Sequence, residues 1–439
     1  MKPGYPAAVL LVVSLSTGCA ARGTAGGAAV RDDAATVARA DTFTAPGRAA
    51  VLDAMTTILA ANYVGEGSPA QNPAEHLEAR RDALLALTDA DAFYAALNET
   101  LAATGIGHLY VFRAGRDLFD RDNFEDRMVG ATLRQVGDYF FVDDVWEGGP
   151  AAQAGLRYGD QLLPVDDRSP MLDPLPPGKG RLRLWVRRSR ESPPFFIEIA
   201  PVASYTAWYL AEATRASLSR VPMGACRIGH VHLRTFANET LVDELIAGAD
   251  FDDSDGLIID LRGNNGGEIR LAGEVFDLLT REPSVWIRYD RRSYPFPATS
   301  WNRPLVVLVD NRTRSAAEIF AAAVQARGLG TIVGTTTAGQ VQGSQLFPLP
   351  DGSRFLVPVS QVLLPDGDSL EGRGVIPDVS SVRPLMFADG DDPPMAHAMQ
   401  VLAQQLACPE ELPPESFPQE TLPPEKSLDD AGGSSVPVP

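Results

Sequence analysis

The feature that most restricts this chain is the uninterrupted aliphatic run Leu305-Val-Val-Leu-Val309, followed closely by the helix-forming stretch Ala316 to Ala326. A short apolar run with no polar alternation reads as a strand covered on both faces. Similar runs occur at Ile228 to Leu233, Leu257 to Leu261 and Thr331 to Val333. Between them lie helical patterns at Thr240 to Ala249 and Leu271 to Leu279. Strands alternating with helices imply α/β units with some parallel pairing over residues 227–385.

The chain has 439 residues, more than one compact core holds, so two or three domains are expected. Val51, Met55, Ile58, Leu59, Leu84, Leu85, Leu87, Phe93, Leu97 and Leu101 recur at helical spacing, with Thr88-Asp89-Ala90-Asp91 offering a cap between two helices. Tyr139-Phe-Phe-Val142 and Arg181 to Val186 alternate like strands. The expected fold class is multidomain α+β: an N-terminal helical domain over 47–126, a β-rich domain over 127–203 and an α/β core over 204–407. Residues 408–439 are Pro-, Glu- and Ser-rich and read as a disordered tail. The net charge of −19 argues against a basic phosphate-binding surface, so no nucleic-acid partner is expected.

The N-terminus, MKPGYPAAVLLVVSLSTGCAARG, has a positive start at Lys2, a short apolar run and small residues before Cys19. It is too short to span a bilayer and looks like a lipoprotein signal over 1–19, with Cys19 as the acylated residue and 20–46 as a linker. Ser16 stands where such signals prefer Leu; a plain secretory signal is the other reading. An exported chain, lipid-anchored to a bacterial membrane and facing the periplasm or cell surface, follows. The remaining cysteines, Cys226 and Cys408, would be free to pair in an oxidising compartment or to stay as thiols; spacing does not choose.

Asp310-Asn-Arg-Thr-Arg-Ser315-Ala-Ala-Glu318 places Ser315 at a strand-to-helix junction, where helix N–H groups and dipole favour an oxyanion. Alone, the commonest role for Ser at such a place is an N-cap. Asp260-Leu-Arg-Gly-Asn-Asn-Gly-Gly267 is a second strand running into a glycine-rich turn, where Gly266 and Gly267 can present backbone N–H groups. It lacks the lysine and spacing of a nucleotide-binding loop.

Two resemblances sharpen this reading. Glu147-Gly-Gly-Pro-Ala-Ala-Gln-Ala-Gly-Leu-Arg-Tyr-Gly-Asp-Gln161 is similar to a PDZ domain, which implies that a peptide adds as a strand beside Met128, Val129 and Gly130. That segment, the Gly266-Gly267 turn, the Ser315 block and Glu371-Gly-Arg-Gly-Val-Ile-Pro-Asp378 occur in one order. The combination resembles the C-terminal-processing (tail-specific) proteases and the tricorn core, a superfamily of serine peptidases. The resemblance implies Ser315 as nucleophile, with oxyanion N–H groups from Gly266 or Gly267 and from Ala316. It also implies protein or peptide substrates and no metal or organic cofactor.

The tail-specific branch pairs its Ser with a Lys, but Gln340 occupies that place, and an amide cannot act as the base. The only lysines, Lys2, Lys179 and Lys426, are badly placed. The tricorn-like branch uses a His, and Gly105-Ile-Gly-His108 resembles its Gly-His segment, so the resemblance implies His108 as general base, titrating in the ordinary histidine range. That branch also has a Ser beside the His, where this chain has Gly107, and a downstream Glu, best matched by Glu371. A non-catalytic peptide- or ligand-binding protein on the same fold, or an esterase, are the competing readings.

Overall fold

The computed structural model describes residues 43–65, 72–114, 127–164, 180–204, 206–247, 253–277, 279, 288–289, 292–293, 301–364, 369–406 and 408. The signal, Cys19, most of the linker and residues 409–439 lie outside the described residues.

Three helices open the described chain: α1 (Ala45–Asn62), α2 (Pro73–Leu85) and α3 (Ala90–Ala102). Each begins at a polar cap whose side-chain oxygen accepts a backbone N–H, namely Thr44, Asn72 and Asp89. α1 thus starts within the segment read from the sequence as linker. A short strand, β1 (Tyr110–Phe112), follows.

The next segment is a five-stranded antiparallel sheet in the order β3-β4-β5-β6-β7. Its strands are β3 (Ala131–Val136), β4 (Tyr139–Val145), β5 (Gln161–Leu163), β6 (Leu182–Arg187) and β7 (Phe195–Ile199), with the short α4 (Pro150–Gln153) between β4 and β5. β2 (Arg127–Met128) pairs with β8 (Val202–Ala203) beside it. Val129, Val142, Leu156, Leu162, Leu184, Val186, Ile197 and Ile199 form its own small core.

The remainder is the α/β unit. α5 (Thr206–Ser217) leads into β9 (Ser219–Met223) and β10 (Cys226–His232), then α6 (Glu239–Ala247), β11 (Gly256–Asp260) and α7 (Ile269–Asp277). After a two-residue pair, β12 (Arg288–Tyr289) with β13 (Arg292–Ser293), come β14 (Leu305–Val309), α8 (Ala316–Ala326) and β15 (Thr331–Gly334). β16 (Gly343–Pro348), β17 (Arg354–Ser360), β18 (Val379–Ser380) and α9 (Pro393–Gln405) complete it. The main sheet has the order β18-β15-β14-β11-β10-β9, with only β9 antiparallel to its neighbour. Leu257, Ile259, Leu305, Val307 and Val309 pack toward α6, α7 and α8, while Ile258, Val306 and Leu308 pack toward α9. That two-sided cover is why these strands are continuously apolar.

Two tertiary ties were not legible as such. β1 pairs antiparallel with β17, and Leu109, Val111, Phe355 and Val357 share the core of α1–α3, so the helical segment and the α/β unit are joined through one sheet. Cys226 and Cys408 are disulfide-bonded with their Cα atoms 5.4 Å apart. The bond fixes the chain just beyond α9 to the start of β10, so residue 408 belongs to the folded body rather than to the tail.

Candidate active site

β11 and β14 are hydrogen-bonded neighbours, so the turns leaving their C-terminal ends lie side by side. Three contacts bolt these turns together. Asp310 Oδ1 accepts the Gly263 N–H at 3.0 Å, the Thr313 hydroxyl donates to the Leu261 carbonyl at 2.8 Å, and the Arg314 N–H donates to the Asn264 carbonyl at 3.0 Å. Asn264 is itself buried, donating to the Leu233 carbonyl and accepting the Gly266 N–H.

Ser315 is 4% exposed and has φ 59° and ψ −127°, a conformation that L residues rarely adopt. It caps α8 at a forced bend rather than in the extended geometry of an ordinary N-cap. Its N–H is shared between the Gln340 carbonyl at 2.9 Å and Glu318 Oε2 at 3.1 Å. Glu318 is fully buried and also accepts from the Thr337 hydroxyl, Gly339 N–H and Gln340 N–H at 2.5, 2.7 and 2.8 Å. Burial pushes its pKa up against those donors. Glu318 therefore anchors the 337–340 loop onto α8, which Ser315 caps. Its spacing from Ser315 is the Ser-x-x-Glu capping pattern, a signal the sequence contained but to which no role was given.

That loop brings in the helical segment. A Cβ on Gly107 would lie 2.8 Å from Gln340 Cγ, so Gly107 packs directly against the Gln340 side chain. A Ser at 107 would require the Gln340 side chain to shift. His108, the next residue, also has positive φ, at 60°, and is buried. Its Nδ1 has no hydrogen-bond partner among the described residues. Burial, then the Arg314 guanidinium, lower its pKa to about 4, below the ordinary histidine range expected from the sequence. At neutral pH the ring is an uncharged imidazole able to accept a proton.

Glu371 does not hydrogen-bond to His108. Its Oε2 accepts the Val341 and Gln342 N–H groups at 2.7 and 3.2 Å, and burial raises its pKa. It supports the strand entry after Gln340 instead of the imidazole. Of the two candidate glycines, Gly266 has its N–H committed to Asn264 Oδ1 at 2.7 Å. Gly267 and Ala316 have N–H groups with no acceptor among the described residues. Gly267 has φ 153°, and a Cβ there would lie 2.1 Å from the Phe236 carbonyl carbon, so only glycine fits. Met128, Val129 and Gly130 lie where the five-stranded sheet begins: the Val129 carbonyl accepts the Ala151 N–H, the Gly130 carbonyl accepts the Trp146 N–H, and the adjoining β3 is an edge strand.

The sequence signature described as Peptidase family S41 matches residues 227–381. The chain is 28% identical over 262 residues to a carboxyl-terminal-processing protease of Synechocystis, covering 56% of this chain and 60% of that protein. It is 24% identical over 280 residues to the carboxy-terminal processing protease CtpB of Bacillus subtilis, covering 60% and 56%. A tricorn protease homolog of Streptomyces coelicolor is 28% identical over 365 residues, covering 75% of this chain and 30% of its own length. The matched region thus spans less than two thirds of these relatives. Among solved structures, an S41 protease of Bacteroides fragilis superposes with a TM-score of 0.54 at 17% identity, covering 80% of this chain and 97% of that one. A photosystem II D1 C-terminal processing protease superposes with a TM-score of 0.51 at 21% identity, covering 80% and 96%. Both structural likenesses are of fold.

Proposed function

We propose that this chain, whose residues 227–381 match the signature of peptidase family S41, is a serine peptidase in which Ser315 is the nucleophile and His108 the general base. The observation that carries the proposal is the strained Ser315 backbone at the β14–α8 junction, with the segment bearing His108 packed on the residue whose carbonyl holds the Ser315 N–H. Ser315 Oγ attacks the scissile carbonyl carbon as His108 takes its proton. The oxyanion receives the N–H groups of Gly267 and Ala316, at the N-terminus of α8. Collapse expels the amine, which takes the proton from His108, and water activated by the same imidazole then releases the acyl group.

Exported proteins or peptides are the proposed substrates. Residues 127–203, read as PDZ-like, would select them by adding a peptide strand to the edge of the sheet. The lipid anchor at Cys19 rests on the N-terminal sequence; among the described residues no helix is long and apolar enough to cross a membrane. Metabolic labelling with a fatty acid should mark the wild type and not Cys19→Ser; equal labelling would remove the anchor from the proposal.

A second reading, a binding protein on this fold, draws on the His108 Nδ1 that lacks an orienting acceptor. A fluorophosphonate probe separates the two. The peptidase reading expects covalent labelling at Ser315, lost in Ser315→Ala, together with turnover of a peptide library. An unlabelled, folded wild type would leave the binding reading standing.

A further inference from the structure

Arg314 differs from the other arginines around the site. Arg234 is paired with Asp144 and Glu147, Arg262 with Asp260 and Asp392, and Arg312 with Asp310 and Asp143. Among the described residues Arg314 forms no ion pair, and its Nε is shut off from solvent with no acceptor there. The carboxylates that act on it electrostatically are already engaged. Glu318 holds Ser315, Thr337, Gly339 and Gln340, and Asp310 holds Gly263, Arg312 and Thr313. The Arg314 backbone cannot swing away, because its N–H donates to Asn264 and its carbonyl accepts the Ala317 N–H. An uncompensated, largely buried guanidinium is costly, and such groups concentrate where a ligand supplies the missing charge. Arg314 directly precedes the nucleophile.

We propose that Arg314 is a carboxylate subsite, pairing with a carboxylate of the bound peptide close to the scissile bond. The carboxylate is either the free C-terminal group or an Asp or Glu side chain; a guanidinium takes both in the same forked geometry. The inference rests on the serine-peptidase reading and names its substrate class. It has a second consequence. The Arg314 charge weakens His108 as a base, so a carboxylate that neutralises Arg314 also strengthens the base and shows in kcat as well as KM.

The test uses the full chain and peptide pairs that differ only in Asp against Asn, or Glu against Gln, at each position flanking the cleaved bond. A further pair differs in a free against an amidated C-terminus. In the wild type, kcat/KM for the carboxylate member of at least one pair should exceed its partner by about 10- to 100-fold, the worth of a charged hydrogen bond. Arg314→Gln should bring that ratio close to one, and Arg314→Glu should take it below one. Whichever pair responds identifies the source of the carboxylate. A wild type with no preference in any pair, or a preference that survives in Arg314→Gln, overturns the proposal, and the first of these needs no variant to fold. The same pairs titrated onto Ser315→Ala report binding without turnover. A wild type that hydrolyses nothing while its Ser315→Ala form still selects carboxylate peptides would sink the peptidase reading and keep the subsite. An active enzyme without selectivity would do the reverse.

Discussion

Ser315 and His108 are two of only four non-glycine residues with positive φ among the described residues. Such backbones cost about 1–3 kcal/mol each and persist where surrounding contacts impose them. Here the contacts are the shared Ser315 N–H and the Gly107–Gln340 packing. If the pair works as one unit, Ser315→Ala, His108→Ala and the double variant should retain nearly the same residual turnover, each orders of magnitude below wild type. Progress curves on purified, folded variants check this; near-wild-type turnover by His108→Ala would remove it as base. The pH profile follows from the lowered pKa. Only neutral imidazole accepts the proton, so kcat/KM should rise with pH through an ionisation near 4 and be flat with respect to His108 from there to neutrality. An ionisation at the usual histidine value would mean that the ring is more solvated than its burial indicates.

At the level of elements, three segments distant in sequence meet at α8. β14 aims Ser315, the 337–340 loop brackets it through Glu318, and β1 carries His108 in by pairing with β17. Glu318 is the common anchor, since it accepts from both the helix start and the loop. Glu318→Gln would turn an amide NH₂ toward N–H groups that need an acceptor. The expected loss is about 2–4 kcal/mol of stability with at least a tenfold fall in kcat. Urea unfolding and steady-state kinetics on the same preparation check this, and a variant with wild-type values for both would mean that the loop is held by other contacts.

Across the whole molecule, the five-stranded sheet is joined to the α/β unit by buried charge. Arg234, after β10, binds Asp144 at 2.9 Å and Glu147 at 2.6 Å, and Arg312 in the turn before Ser315 binds Asp143 at 3.2 Å. His232 Nδ1 meets Glu147 at 2.9 Å and Nε2 meets the Arg262 carbonyl at 2.8 Å, so both ring nitrogens face acceptors. Arg234→Met would take from Asp144 its close ion-pair partner and leave Glu147 with His232 alone, with an expected cost of about 3–5 kcal/mol. Burial raises the Glu147 pKa, but His232 and Arg234 outweigh it and bring it down to about 2. Its contribution is therefore present above the unfolded value of 4.5 and lost as pH falls toward 2; the shift corresponds to about 3 kcal/mol. His232 has the opposite sign. Its pKa is raised, so its contribution is complete below 6.5 and lost as pH climbs through the raised value. Thermal melts of wild type and Arg234→Met across pH should show the acid-side loss diminished in the variant; parallel curves would place that loss elsewhere.

The sequence alone was enough for β10, β11, β14 and β15 and for α6, α7 and α8, whereas α5, β9, β16, β17 and β18 were not read from it. Leu305–Val309 and Ala316–Ala326 appear as read, because aliphatic runs and helical periodicity report local burial. Local patterns of residue type also singled out Ser315 and the Gly266-Gly267 pair as candidates, and the family resemblance put Gln340 where a Lys is expected. What the tertiary structure decided was partnership. It pairs Cys226 with Cys408, commits the Gly266 N–H to Asn264 and turns Glu371 toward a loop. Among the described residues it also leaves the Arg314 Nε without an acceptor. A side chain's periodicity shows whether it is buried, but its hydrogen-bond partner and its pKa depend on groups brought together from far along the chain.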